Sequence, residues 1–242
     1  MALTPAGPWR AVLFDVDDTL VPWQTLAHWQ WAWRPRGPLL SPRHALAAIK
    51  RSLHAWDRRR WDGVVGKSPA TDEAAGRQWL RETLAAVAGH ALPEAETEAV
   101  VDRFLKPAGE IEQFADVAPC LANLQAQHIA VGAVSELPGE VARGALRRSG
   151  LPDSMLVRAG DEPDGLRLPS AEAFRAAAAK LGAKPKETFF VGDLYWSDVR
   201  SAARASLGSV LLDRNDWAVR IEAPRLRSLS ALAGQLAAAT SP

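Results

Sequence analysis

The chain has 242 residues, 48% of them hydrophobic, enough for one core or a core with an insertion. Its 29 basic and 28 acidic residues leave a net charge of +1, which excludes a global pull toward nucleic acid or an anionic membrane surface. Cys120 stands alone, which excludes an intramolecular disulfide and suits a cytoplasmic setting. Met1 to Arg10 lacks the basic and apolar regions of a secretory signal. No apolar run approaches the ~18 residues of a membrane span, so no membrane partner is expected.

Residues 1–10 carry Pro5, Gly7 and Pro8 and form a lead-in. Ala11 to Phe14 is too short an apolar run for a helix and fits a buried strand. It runs into Asp15-Val16-Asp17-Asp18-Thr19-Leu20, three carboxylates within four positions. Open α/β sheets place their ligands at such strand ends, and adjacent Asp17 and Asp18 call for something cationic between them.

Pro22 punctuates the chain, and the character changes from Trp23 to about Phe114. Seven of the ten tryptophans fall between Trp23 and Trp79; Trp29, Trp31 and Trp33 precede a Pro35–Pro38 break. His44 to Trp56 has helical spacing, with Leu46, Ile49, Leu53 and Trp56 on one stripe. Gln78 to Val87 and Ala95 to Leu105 also read as helices. Pro93 with Glu94 and Glu96 marks a helix start, and Pro107 with Gly109 a stop. The segment 23–114 is therefore expected to be a helical insertion between the two parts of a core, 1–22 and 115–242. From Trp23 to Ser68 nine Lys or Arg face two acids, Asp57 and Asp62; a solvated helical face is the expected reading.

Beyond Asp116 strands alternate with helices. Pro119 to Gln127 reads as helix, Ile129 to Val134 as a strand ending at Ser135, and Leu137 to Ser149 as helix stopped by Gly150 and Pro152. Met155 to Arg158 is a short strand, and Asp161 to Pro169 a polar loop. Ser170 is placed to cap a helix running to Leu181, before Gly182. Thr188 to Val191 is a strand ending at Gly192-Asp193; Asp198 to Ser206 is helical, Ser209 to Leu212 a strand, and Leu229 to Ala238 a last helix. This alternation argues for an α/β fold with a Rossmann-like parallel sheet, three layers deep.

Three strand ends thus carry polar chemistry: Asp15-Val16-Asp17-Asp18-Thr19, Ser135-Glu136, and Gly192-Asp193 followed by Asp198. In these motifs and their order the chain resembles the haloacid dehalogenase-like (HAD) hydrolases, a superfamily dominated by Mg²⁺-dependent phosphatases. The insertion sits where that family carries a helical cap. The resemblance implies that Asp15 is the nucleophile, forming an aspartyl phosphate, and that Asp17 is the general acid and base. It implies a Mg²⁺ site made by the Asp15 carboxylate, the Asp17 main-chain carbonyl, Asp193 and Asp198. Ser135 would donate to a phosphoryl oxygen, with Asp18, Glu136 and Arg167 completing the phosphate's surroundings. The dehalogenases that name the superfamily lack an acid at the position of Asp17 and need no metal, so Asp17 favours phosphoryl chemistry. The expected partner is a small phosphorylated molecule.

One motif departs from the family. Within Leu166-Arg167-Leu168-Pro169-Ser170-Ala171-Glu172-Ala173-Phe174, Pro169, Glu172 and Phe174 fit, but the family's Lys falls on Leu168. Either Arg167 turns inward to supply the cation, or it is a solvated loop residue and the site is weakened. A phosphatase is expected; a binding member that lost efficient catalysis and a phosphomutase are the alternatives. The insertion's tryptophans are expected to be packing, the alternative being that some line the face toward the site, and nucleic-acid binding has no second motif behind it. His28, His44, His54, His90 and His128 show no metal-ligand spacing, and Cys120 reads as a small buried hydrophobe.

Overall fold

The computed structural model describes residues 7, 9–22, 32–33, 45, 48–49, 51–53, 55–59, 61, 73–104, 112–214, 216 and 221–240. Ala11–Asp15 forms β1, and its first four side chains are completely buried. A strand hidden on both faces has to be apolar throughout, as this one is. It pairs in parallel with β2 (Ala130–Val134) on one side and β4 (Thr188–Gly192) on the other. With β3 (Leu156–Arg158), β5 (Gly208–Leu212) and β6 (Arg225–Leu226) the order is β3-β2-β1-β4-β5-β6, all parallel.

Side-chain alternation along the strands splits the core into two layers. Val12, Phe14, Phe189, Val191, Val210 and Leu212 face α3 (Val117–Ala126), α4 (Gly139–Arg148) and α7 (Leu232–Thr240). Leu13 and Phe190 face the other way, onto Phe174 and Ala177 of α5 (Ala171–Lys180) and Ala202 of α6 (Ser201–Arg204). Phe174 meets Phe190 edge-on at 4.9 Å. Ser170 caps α5, its side chain accepting from Ala173 N–H, and Gly182 follows the helix with φ +69°. Both ends of α5 thus follow the expected chemistry.

The expected strands are found within a residue or so of their bounds. Two elements differ. In place of a helix from Asp198 to Ser206, Tyr195–Arg200 winds as a π-helical turn and continues into α6. Its first amides are diverted to side-chain acceptors, and Val199 N–H reaches back to Leu194 O. Strand β6 has no counterpart in the sequence reading; two residues carry no periodicity, and Arg225 is held by an ion pair to Asp213 at 3.2 Å.

Within residues 32–104 the regular structure of the described residues is helical. Residues 45, 48–49, 51–53, 55–59 and 61 are followed by α1 (Glu73–Ala88) and α2 (Glu94–Phe104). They have a hydrophobic cluster of their own: Trp33, Ile49, Leu53, Trp79, Leu80, Leu84, Val100, Val101 and Phe104. Trp56 stacks at a tilt on Trp79, 5.6 Å between centroids, so both pack within this cluster. On the outside Arg77 and Arg81 bridge α1 to Glu98 of α2 at 2.7 and 2.6 Å. The readings at Trp23, Trp29, Trp31, Pro35–Pro38, His44, Leu46 and Pro107–Gly109 lie outside the described residues.

The crossings into and out of this insertion are adjacent, with Phe114 N–H donating to Leu20 O at 3.3 Å. A fork from Arg214 fastens them. Its guanidinium makes two bonds to Asp116, at 2.8 and 2.9 Å, and a third to Thr19 O at 2.9 Å. Burial alone would raise the Asp116 carboxyl, but the bonds from Arg214, Ser228 and Leu229 N–H outweigh it and hold the group low.

Candidate active site

Strands β1 and β4 are neighbours, and the order of strands reverses between them. Their C-terminal ends therefore form the crevice where such sheets bind ligands. Asp15 is the last residue of β1, and Asp193 follows the last residue of β4. Asp198 comes in from the π-helical turn. Carboxylate oxygens of Asp15, Asp193 and Asp198 all lie within 4.8 Å of one another.

The local backbone explains this convergence. After Asp15 the chain folds back on itself: Leu20 and Val21 N–H both donate to Val16 O, and Asp18 N–H to Val21 O at 2.7 Å. Asp18 takes φ +54°, a left-handed conformation that Asp tolerates better than most residues. The fold-back holds Asp17 and Asp18 beside Asp15. Asp198 is fixed by Leu194 N–H, which donates to its Oδ2 at 2.9 Å. Gly192 is needed there because a Cβ at that position would collide with the Asp198 carboxylate.

These groups line a cavity of about 120 Å³ with Asp18, Glu136, Leu137 and Leu194 of the core and Leu53 and Trp56 of the insertion. Six of the ten lining residues are acids, and none is basic among the described residues. The electrostatic cost shows in the carboxyls themselves. Asp15 is pushed well above its usual range, first by burial and then by Asp198, Asp193 and Asp17. Asp193 is pushed up in the same way, by burial and then by Asp198 and Asp18. Asp17 is raised to about 7 by burial and by the charges of Asp18 and Glu136. Its Oδ1 is buried without a hydrogen-bond partner among the described residues. Clustered hard oxygens whose charges repel one another fit a small divalent cation such as Mg²⁺.

The remaining sequence candidates fall as follows. Ser135 follows β2, one residue beyond Val134, which pairs with Asp15. Its Oγ accepts from Leu137 N–H at 3.1 Å, so its own proton is available to donate. It is buried and does not itself line the cavity, whereas its neighbours Glu136 and Leu137 do. Arg167 is not brought to the cavity. Its Nη1 donates to Glu162 O at 2.6 Å, and the neighbouring Leu168 is buried with Leu13, Val134 and Phe174. Nor does the last residue of α5 offer a cation to the cavity: Lys180 is paired with that same Glu162 at 3.0 Å. Cys120 is buried, and burial pushes its thiol up to about 12, so it is an inert hydrophobe.

One buried acid near the cavity escapes the sequence reading. Asp57, counted there as part of a solvated face, has no exposed surface at all. Its carboxylate accepts from Trp196 N–H at 2.8 Å, from Ser197 N–H at 2.9 Å, and from Ser197 Oγ. The signal was present, since Asp57 stands four residues after Leu53 and extends the buried helical stripe. Trp196 packs against the insertion too, 5.3 Å from Trp61.

The model of the haloacid dehalogenase-like hydrolase family matches residues 9–206. The chain belongs to this family. A curated relative, the glyceraldehyde 3-phosphate phosphatase of Methanopyrus kandleri, is 28% identical over 216 residues, covering 86% of this chain and 85% of its own. Among solved structures, the magnesium-bound HAD hydrolase YfnB of Bacillus subtilis superposes with a TM-score of 0.68 at 21% identity, covering 95% of this chain and 99% of its own. The L-2-haloacid dehalogenase of Xanthobacter autotrophicus gives a TM-score of 0.63 at 18% identity, over 95% and 98%. The likeness to these two structures is one of fold. This HAD hydrolase is therefore an enzyme of the superfamily with a phosphatase among its relatives, and none of its described helices is long and apolar enough to cross a membrane.

Proposed function

We propose that this HAD hydrolase is a Mg²⁺-dependent phosphatase that cleaves a small phosphate monoester through an aspartyl phosphate on Asp15. The observation that carries this reading is the convergence of Asp15, Asp193 and Asp198 within 4.8 Å, beside an Asp17 raised to about 7. The metal would be held by the carboxylates of Asp15, Asp193 and Asp198 and by the main-chain carbonyl of Asp17. When bound it supplies the positive charge that lets a carboxylate approach an anionic phosphate.

Each residue then has a task. An Asp15 carboxylate oxygen attacks phosphorus, forming the O–P bond as the bond to the leaving oxygen breaks. Asp17 gives its proton to that leaving oxygen, and the resulting carboxylate takes a proton from the water that attacks the aspartyl phosphate. Free phosphate and neutral alcohol leave, and Asp15 and Asp17 are restored. A carboxyl raised to about 7 holds its proton near neutrality, which is what a donor needs. In this reading Asp18 and Glu136 act on the phosphate's surroundings by keeping that proton on Asp17. Ser135 O–H donates to a phosphoryl oxygen. Leu53 and Trp56 form the roof over the leaving group, making the helical insertion the cap of this site. The cavity's size suits a small ester, as does the kinship with a phosphatase of glyceraldehyde 3-phosphate.

The test is phosphate release from a panel of esters, three-carbon phosphates included, with Mg²⁺ and with EDTA. Turnover above an Asp15→Asn control, lost in EDTA, is the expected result; no turnover above that control refutes the proposal. A second reading is favoured by one observation: Leu168 is buried where the family has Lys, and the described cavity wall offers no cation in its place. This is a member that binds Mg²⁺ and phosphate but turns over poorly. Tight binding of Mg²⁺ with beryllium fluoride, without hydrolysis of any ester, is its signature.

A further inference from the structure

Asp57 belongs to the insertion, yet every bond described for its carboxylate runs to the segment that carries Asp198. Trp196 N–H reaches one oxygen, and Ser197 N–H and Oγ reach the other. Three donors converge on a fully buried carboxyl; burial raises its titration, and these hydrogen bonds oppose that rise. They sit at the start of the helical run 195–204, whose first amides have no partners within the run. The side chain of one part of the protein thus does for another what an N-terminal capping residue does within a helix.

The surroundings reinforce the joint. Trp61, four residues on from Asp57, donates from its indole N–H to Ser201 Oγ at 3.1 Å, and Ser201 Oγ donates to Trp196 O at 3.1 Å. Arg58 and Arg200 each lie 5.4 Å from the Trp196 ring, and Arg200 is also 5.5 Å from Trp61. One turn thus carries Asp57, the Trp196–Trp61 stack, and Asp198 with its bond from Leu194 N–H. The same helical stretch of the insertion supplies Leu53 and Trp56 to the cavity wall.

We propose that Asp57 is a positioning residue that ties seating of the insertion over the cavity to placement of Asp198 beside Asp15 and Asp193. The insertion cannot lift along this seam without uncovering the amides of Trp196 and Ser197, so the turn that carries Asp198 keeps its first amides satisfied only while the insertion is seated. This coupling rests on the reading of Asp193 and Asp198 as the metal seat. The clamp itself does not.

The full chain is compared with Asp57→Ala and Asp57→Asn by two measurements. The first is amide hydrogen exchange in EDTA at Trp196 and Ser197, where loss of the acceptor is expected to speed exchange by at least about tenfold. The second is calorimetric titration with Mg²⁺ alone, where affinity is expected to fall by about tenfold or more for Asp57→Ala. Asn keeps one acceptor oxygen but turns its amide hydrogens toward a donor, so both effects are expected to be intermediate. The near-UV circular dichroism of the stacked Trp61 and Trp196 should change with the exchange rates. In turnover kcat should fall more than KM rises, because the metal seat is disturbed more than the apolar roof. Folded Asp57→Ala with unchanged protection overturns the clamp. Faster exchange with an unchanged Mg²⁺ affinity overturns the coupling. Should Asp57→Ala not fold, Asp57→Asn decides by the same two criteria. If the unaltered chain itself takes up no Mg²⁺, the metal reading fails, while the exchange data still decide the clamp.

Discussion

Replacing Asp17 by Asn is expected to make the metal-free protein more stable above neutral pH and nearly inactive. The sign follows from linkage. Asp17 titrates at 3.8 in an unfolded chain and at about 7 in the native site, so the native state holds the proton more tightly. Its contribution to stability is complete below pH 3.8 and is lost as pH rises to about 7. That interval corresponds to roughly 4 kcal/mol. Asn carries no charge at any pH and escapes this loss, but its amide enters a site where Oδ1 already lacks a partner among the described residues. An unpaired buried amide costs about 1–3 kcal/mol, which leaves a net gain of about 1–3 kcal/mol above pH 8. For a chain of this size that raises Tm by roughly 2–12 °C. Below pH 3.8 the gain is absent and the variant should be the less stable one. The assay is thermal unfolding in EDTA across pH 4 to 8.5, with ester hydrolysis in parallel, where kcat should fall by about 10²–10⁴. A Tm difference that does not change with pH, or that grows as pH falls, refutes the reasoning. Mg²⁺ should narrow the difference at high pH, because it relieves the repulsion that Asn removes.

Asp116→Ala strips the acceptor from Arg214, Ser228 Oγ and Leu229 N–H at the joint beside the insertion. The pair is about one-tenth exposed, so the loss is set at about 2–4 kcal/mol, below the full cost of breaking a wholly buried pair. It is read from the urea midpoint with an unchanged slope; a change under about 0.5 kcal/mol would mean that the joint carries no load. Arg167→Ala should leave kcat/KM within roughly threefold, because the guanidinium is held by Glu162 O rather than at the phosphate. A hundredfold loss would put Arg167 in the site after all.

What was legible in the sequence was what a strand end can carry. Val12 to Phe14 had to be a buried strand, and the carboxylates after it could only stand at its C-terminal rim. The same logic located Ser135 and Asp193, and their arrangement around one crevice follows from parallel pairing alone. Side chains that act across the fold were not legible. Asp57 and Ser197 are 140 residues apart, and nothing local distinguishes a carboxylate that caps a distant turn from one that faces water. Its place on the stripe with Leu53 was the one trace, and a basic neighbourhood masked it. Leu168 shows the converse. Its neighbours Pro169, Glu172 and Phe174 fit a known pattern, which drew attention to a missing cation and to Arg167 as the substitute. The buried cluster of Leu13, Val134 and Phe174 gives the physical reason for Leu, since an ammonium there would lose its water without gaining a partner. In the proposed reading the charge that the family's Lys would offset is left to the metal, and a site of six acids with no basic side chain on its described wall would depend on that metal more than one with a lysine. If so, phosphate should be held well by this chain only once Mg²⁺ is bound.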